Sequence, residues 1–361
     1  KAEMSGNALE AHLVRLIRET GPIPLSHYMA LCLGHPEHGY YMTRDPLGAR
    51  GDFVTAPEVS QMFGELLGLW LADRWLAERS PSPIAIAELG PGRGTLMADA
   101  LRALRSVPGM LDAASIHFVE ASPVLRAAQR ERLPDAHWHS SADELPDLPL
   151  FLVANEFFDA LPITQYQRTE RGWCERYVGY AEGRFVPVLA PVAAANDKAL
   201  PPAITAAAGG AIAETCPVGI SIISGIASRI ATHGGGALVI DYGHERSAPG
   251  DTLQAVRNHA FADPFEAPGE ADLTAHVDFE ALAHGVRGGG ATPHGPVGQG
   301  TFLCALGIEA RAGQLARNAS STQREAIGQA LRRLTASDEM GSLFKVLGIT
   351  PPGSEPPAGF A

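Results

Sequence analysis

Ile84-Ala-Ile-Ala-Glu88-Leu-Gly90-Pro91-Gly92-Arg-Gly94-Thr95 reads as a strand, a glycine-rich loop and the start of a helix. The apolar run ending in Glu88 has the length of a buried strand. Leu96 to Arg105 then places Met97, Ala100, Leu101 and Leu104 on one helical face. Glycines at alternate positions bring bare backbone against a nucleotide-like ligand. A dinucleotide fingerprint wants a small residue where the helix meets the strand, and Thr95 stands there instead. No Gly-Lys-Ser/Thr follows, so this is not a P-loop.

Working outward, β-α alternation continues. Ile116 to Glu120 reads as a strand, followed by a helix opened by Ser122-Pro123, an N-cap and N1 pair. Residues 136–139 form a short strand. Leu150 to Ala154 and Ala237 to Asp241 are continuous apolar runs, as strands buried on both faces require. The implied fold class is α/β, a Rossmann-like, doubly wound and mostly parallel sheet. Between 162 and 189 the pattern changes to an antiparallel β-meander, and residues 190–211, rich in Ala and Pro, read as a surface excursion. Upstream, residues 8–20 form an amphipathic helix and 22–54 a Pro/Gly/His/Tyr-rich ordered loop. Thr55 to Glu78 reads as one long helix opened by a Thr55/Glu58 capping box. Downstream, the pattern predicts a helix near 278–284, a glycine-rich turn at 285–300, a strand at Thr301 to Leu306 and a helix at Arg324 to Leu334. The expected organisation is an N-terminal helical and lid segment (1–80), a core (81–310) with an insertion at about 162–215, and a C-terminal helical tail (311–361).

The chain has 361 residues, is 45% hydrophobic and carries a formal net charge of −12. A core of useful size is available. The acidic balance argues against a broad nucleic-acid or anionic-membrane surface. The four cysteines, Cys32, Cys174, Cys216 and Cys304, form no C-x-x-C pair. No signal or transit segment is evident at the N-terminus, and no stretch is long enough to span a bilayer. The expectation is a soluble protein of the bacterial cytoplasm.

The acids select the ligand. Glu120, at the end of the second strand, can accept both hydroxyls of a ribose and would repel a 2′-phosphate. Glu88 can hold, through water or backbone, the ammonium of an amino-acid tail lying on Gly90, Pro91, Gly92, Gly94 and Thr95. That combination suits S-adenosyl-L-methionine better than a pyrophosphate, and it disfavours a nicotinamide enzyme. Ser122 belongs to the same site, and Asp143, after the third strand, can hold an adenine amino group.

Five segments then resemble one family: Gly51-Asp-Phe-Val-Thr-Ala-Pro-Glu-Val-Ser-Gln-Met-Phe-Gly-Glu65, Glu88-Leu-Gly-Pro-Gly-Arg-Gly-Thr95, Asn155-Glu-Phe-Phe-Asp-Ala-Leu-Pro162, Val239-Ile-Asp-Tyr-Gly243 and Asp272-Leu-Thr-Ala-His-Val-Asp-Phe279. They look like the MidA-like methyltransferases, from about residue 8 to residue 350. The resemblance implies a class I S-adenosylmethionine-dependent methyltransferase and an arginine-bearing subunit of respiratory complex I as protein substrate. The family's relatives act in the mitochondrial matrix.

A guanidinium is a delocalised cation, so its site needs carboxylates near the transferred methyl. The turn Asn155-Glu156-Phe157-Phe158-Asp159 supplies them at the end of the fourth strand. Asn155 can accept from the target nitrogen or cap the turn; Glu156 or Asp159 can hold the guanidinium, or Asp159 can open a short helix. Asp52 and Glu58 form a second candidate cluster, with Phe53 at the mouth, and Tyr40 and Tyr41 can line it. Asp272, Thr274, His276 and Asp278 would share one face of a strand. No metal is expected there, because Asp278 suits a helix N-cap and methyl transfer needs none. His276 can serve as a substrate-side or proton-accepting group. Two other readings keep the cofactor: methylation of a small molecule or another nucleophile, and a non-catalytic assembly chaperone.

Overall fold

The computed structural model describes residues 7–43, 55–195 and 200–360. Its centre is a sheet in the order 292–298, 344–350, 235–244, 150–155, 84–89, 114–119, 137–139. The five strands from 235–244 to 137–139 run parallel. Phe344–Thr350 runs antiparallel to both of its neighbours. The order reverses between Ile84–Leu89 and Leu150–Asn155, the first and fourth parallel strands in the chain. In such sheets ligands bind beyond the carboxyl ends at this switch point.

Alternation along the strands builds two cores. Ile84, Ile86, Phe151, Val153, Leu238 and Ile240 face helices that include Gln61–Ala77 and Thr95–Leu104. Ala85, Ala87, Leu152, Ala154 and Val239 face Pro217–His233 and Phe279–Gly288. The first helix pair is close: a Cβ on Gly68 would lie 2.8 Å from the Cα of Ala100, so a larger residue would push the helices apart. A third core joins helices Ala8–Thr20 and Leu25–Gly34 to the inserted sheet through Leu13, Ile23, Tyr28, Val178 and Leu273.

Several expectations need correction. The helix read from Thr55 to Glu78 is two helices, Ala56–Val59 and Gln61–Ala77. Ser60, in extended conformation, breaks them and caps the second through Met62 N at 3.2 Å. Thr55 makes no side-chain cap bond. The loop read at 22–54 contains the helix Leu25–Gly34, whose Leu25, Tyr28, Met29, Cys32 and Leu33 are buried at helical spacing; flanking prolines and glycines masked that period. Residues 44–54 lie outside the described region, and Asp52 and Phe53 with them. Thr301 to Leu306 belongs to a helix, Gln299–Ala305, since a short apolar run does not distinguish strand from buried helix. The region 285–300 holds the end of Phe279–Gly288 and the strand Thr292–Gly298. The meander strand Arg184–Ala195 runs into the expected excursion, and Leu200 and Ile204 pack with Trp173. The tail is not only helical: after Ile308–Ala316 and Ser321–Thr335 the chain returns as Phe344–Thr350, with Val346, Leu347 and Ile349 fully buried in the sheet. The segment beyond 311 therefore completes the core.

The tail is also tied down by charge. Buried Glu65 accepts from Arg311 Nε at 2.8 Å and from Arg102 Nη2 at 3.0 Å. Burial raises its proton affinity, and the two guanidiniums more than reverse this, so the net shift is downward. Glu65→Ala removes the acceptor the two arginines share, leaving Arg102 with Asp99 at 2.8 Å and Arg311 with Gln314 Oε1 at 3.3 Å. The expected loss is about 2 kcal/mol, reduced from the fully buried case because both arginines are partly solvated. Thermal unfolding should show a midpoint lower by a few degrees with cofactor affinity intact; an unchanged midpoint would refute this role.

Candidate active site

At the switch point lies a cavity of about 520 Å³, within the range of small-molecule sites. Its floor is the loop after Ile84–Leu89, where Gly90 and Gly92 line the cavity at φ values of +57° and +53°; Gly94, at +76°, is not in the lining and opens the helix Thr95–Leu104. A Cβ on Gly90 would stand 2.9 Å from Phe157 Cδ2, so this loop and the turn after the fourth strand touch. Pro91, Arg93 and Thr95 complete the floor. Thr95 has a task that a small residue could not perform. Its hydroxyl donates to Glu58 Oε1 at 2.6 Å and accepts from Arg132. Glu58 thereby ties the short helix Ala56–Val59 over the cofactor end.

Glu120 and Ser122 line the next part of the wall. Glu120 Oε1 accepts from Ser122 N at 2.8 Å, and Ser122 caps its helix through Leu125 N. Glu120 Oε2 accepts from Gln129 Nε2 at 3.2 Å. Gln129 is fully buried; its Nε2 also donates to Gly92 O at 2.7 Å, and its Oε1 accepts from Trp138 Nε1 at 2.8 Å. One amide thus connects the glycine loop to the second acid. Sequence reasoning missed it, because a glutamine in an Arg/Glu-rich helix carries no outward sign of burial. Asp143 does not line the cavity; Ser140, Ser141 and Ala142 do. Ser141 bonds to the backbone N of Asp143 and turns the chain, leaving Asp143 Oδ1 near Gly225.

The far end is built by 155–159. Asp241, fully buried, receives the backbone N–H groups of Phe157, Phe158 and Asp159 on one oxygen, at 3.2, 2.9 and 3.2 Å. Glu156 takes a left-handed φ of +51°, a conformation that needs such external support. Its Oε1 accepts from Asn155 Nδ2 at 3.3 Å and from Ala56 N at 3.4 Å. Asn155, Glu156 and Asp159 all line the cavity, joined by Tyr242, Asp272 and Thr274. Tyr242 stands beside the Asp159 carboxyl, and Tyr41, from the N-terminal segment, donates to Asp272 Oδ1 at 2.7 Å. Tyr40 packs instead in the N-terminal core. His276 is not in the cavity lining. The strand 272–274 ends before it, and its ring packs edge-on against Tyr242 at 5.5 Å. The four polar groups of 272–278 therefore do not share a face, and Asp278 caps a helix through Ala281 N. Among the described residues no group of His, Cys, Asp and Glu is placed to hold a metal, and no helix is long and apolar enough to cross a membrane.

Among the described residues, three that line this cavity carry a buried side-chain oxygen without a partner: Glu88 Oε2, Asn155 Oδ1 and Asp159 Oδ1. Unpaired buried acceptors cost free energy unless a ligand supplies donors. A ligand rich in donors and positive charge fits; one bearing phosphates does not. An S-adenosylmethionine molecule offers an ammonium, a sulfonium and two ribose hydroxyls. Burial, the largest cause in each case, pushes Glu88 up to about 8, Glu156 up to about 7 and Asp159 up to about 6.

The doubly wound sheet, with an acidic cavity at its switch point, is that of a class I methyltransferase. A family model described as "Putative S-adenosyl-L-methionine-dependent methyltransferase" matches residues 66–297. The chain is 37% identical to a Drosophila melanogaster protein named as the mitochondrial protein arginine methyltransferase NDUFAF7 homolog, covering 97% of this chain and 86% of that one. It is 35% identical to the Homo sapiens protein named protein arginine methyltransferase NDUFAF7, covering 94% and 82%. A Burkholderia thailandensis structure with bound S-adenosyl-homocysteine superposes with a TM-score of 0.86 at 31% identity, over 98% of this chain and 94% of that one. The chain belongs to the MidA-like family of S-adenosylmethionine-dependent methyltransferases.

Two predictions follow from the cavity's chemistry. A carboxyl with a raised folded pKa stabilises the empty protein below its unfolded value and loses that contribution as pH rises through the folded one. The empty protein should thus weaken between pH 5 and pH 8, while the ammonium of a bound ligand gains an ionised partner in Glu88. S-adenosyl-homocysteine should raise the unfolding midpoint more at pH 8 than at pH 6, and Glu88→Gln should flatten the difference; an equal shift at both pH values in the wild type would contradict this. Gln129→Leu removes the bonds to Gly92 and Glu120, and should weaken cofactor binding by about tenfold, roughly 1.4 kcal/mol, as read by calorimetry.

Proposed function

We propose that this enzyme methylates an arginine side chain of a protein, and that Glu156 and Asp159 capture the guanidinium. The carrying observation is the turn 155–159, whose Asn155, Glu156 and Asp159 all line one cavity and whose Asn155 Oδ1 and Asp159 Oδ1 are buried without a partner. The relatives' names supply a protein arginine substrate, and the motif resemblance extends it to a subunit of respiratory complex I. Action in the bacterial cytoplasm, as against the mitochondrial matrix for the relatives, belongs to the same proposal. The division into an N-terminal roof and a cofactor-binding core is likewise our reading.

Glu88 and the 90–94 loop would hold the cofactor's amino-acid tail, and Glu120 its ribose. The cofactor supplies an electrophilic methyl on a sulfonium that becomes a neutral thioether when the methyl leaves. Glu156, ionised, aligns the guanidinium and concentrates electron density on the attacking nitrogen. As the new N–C bond forms, that nitrogen must lose a proton. The Asp159 carboxyl, beside Tyr242, is the acceptor. Asn155 orients the same nitrogen through its carbonyl. Positioning and charge, rather than covalent chemistry, account for the rate.

Glu156→Gln keeps the shape and removes the charge. It should lower kcat for transfer to an arginine-bearing respiratory-complex subunit by at least about a hundredfold, about 2.7 kcal/mol, with cofactor affinity unchanged. Mass spectrometry of the subunit should lose its methyl increments. Because Glu156 and Asp159 must be ionised, the wild-type rate should rise with pH between about 6 and 8. Wild-type activity in Glu156→Gln would shift the substrate to another nucleophile.

A further inference from the structure

A small three-stranded sheet, Gln254–Arg257, Ala260–Ala262 and Asp272–Thr274, borders the cavity. Its register is explicit. Ala255 pairs with both Leu273 and Ala262, Val256 with both Asp272 and Phe261, and Gln254 with Thr274. Paired residues on antiparallel strands project to the same face. Ala255, Leu273 and Ala262 pack into the N-terminal core. The opposite face therefore carries Gln254, Val256, Phe261, Asp272 and Thr274. Asp272 and Thr274 line the cavity, and Gln254 reaches the Tyr242 hydroxyl at 3.3 Å. Phe261 thus stands on the cavity side of this sheet, two strand spacings, about 10 Å, outward from Asp272.

Phe261 is 81% exposed, the highest value among the large hydrophobic side chains in the described residues; Leu76 follows at 57%. It sits on a tight hairpin. Asn258 and His259 take φ values of +53° and +61° and join the two strands directly, the geometry of a two-residue turn that fixes register. Scattered exposed apolar residues are ordinary. An aromatic ring held by a short turn on the same face as the cavity wall is placed as interface anchors are.

We propose that Phe261 is a docking anchor for the polypeptide substrate, packing against an apolar or aromatic side chain about three residues from the target arginine. Two strand spacings, about 10 Å, separate Phe261 from the Asp272 wall of the cavity, a span that about three extended residues at roughly 3.3 Å each cover. The occupant is an extended segment of the substrate, because the anchor is continuous through Val256 with the Asp272–Thr274 wall, which meets the guanidinium turn where Ala275 N donates to Asp159 O at 3.0 Å. This inference rests on the arginine reading of the cavity.

The test uses the full chain and 12-residue peptides, each with one arginine. One set carries phenylalanine three residues before or after the arginine, and the other carries alanine. The wild type should favour a phenylalanine peptide by about tenfold in kcat/KM, through KM. Phe261→Ser should remove the preference and leave both alanine-peptide turnover and S-adenosyl-homocysteine affinity unchanged. Equal kcat/KM for all peptides in the wild type overturns the anchor and leaves arginine methylation standing. So does a Phe261→Ser variant that keeps the preference, or one whose only change is loss of self-association in sedimentation. Absence of methyl transfer to arginine in every peptide overturns both readings.

Discussion

One buried carboxyl organises the catalytic end of this molecule. Asp241 ends a central strand and receives three consecutive backbone N–H groups, from Phe157, Phe158 and Asp159, on a single oxygen; its other oxygen takes Tyr242 N at 3.0 Å. Without that acceptor the chain after Asn155 would have three orphaned donors in a buried turn. With it, Glu156 is held in a left-handed conformation and its carboxyl, together with that of Asp159, enters the cavity. The sheet contributes as well: Glu156 N donates to Ile240 O at 2.9 Å, so the turn hangs from the strand that carries Asp241.

The same arrangement explains why the cavity selects cations. It contains several carboxyls, and burial raises the proton affinity of Glu88, Glu156 and Asp159. A positively charged ligand replaces the missing solvation and stabilises the ionised forms. Roof and floor are joined at two points, Glu58 to Thr95 and Ala56 N to Glu156. Cofactor loop, N-terminal segment and substrate turn therefore form one connected unit.

Much of this was legible in the chain itself. The strand at 84–89, the glycine loop, the Ser122 cap and the apolar runs at 150–154 and 237–241 each carry a local signal that packing does not override. Asn155, Glu156 and Asp159 were legible as a motif, and the cavity gathers them. The tail strand 344–350 was hidden because Phe-Lys-Val-Leu-Gly-Ile-Thr follows helices and its partners lie far away in sequence. Gln129 and the helix 25–34 were hidden for a related reason: burial of a polar group, or of a helix between prolines and glycines, is decided by distant neighbours. Asp143 was placed by its position after the third strand and His276 by alternation along a presumed strand, and neither is in the cavity lining. The capping pattern at Thr55 and Glu58 was a true local signal with a different outcome, since Glu58 finds a stronger donor in Thr95.

The most direct test is a crystal structure of the full chain with S-adenosyl-homocysteine and an arginine-bearing peptide. The expected result has the ribose on Glu120, the amino-acid tail on the 90–94 loop, and the guanidinium within hydrogen-bond distance of Glu156 and Asp159, with the Asp241 contacts to residues 157–159 intact. A guanidinium bound away from those two carboxyls, or a turn that leaves Asp241 when the ligands bind, would contradict it.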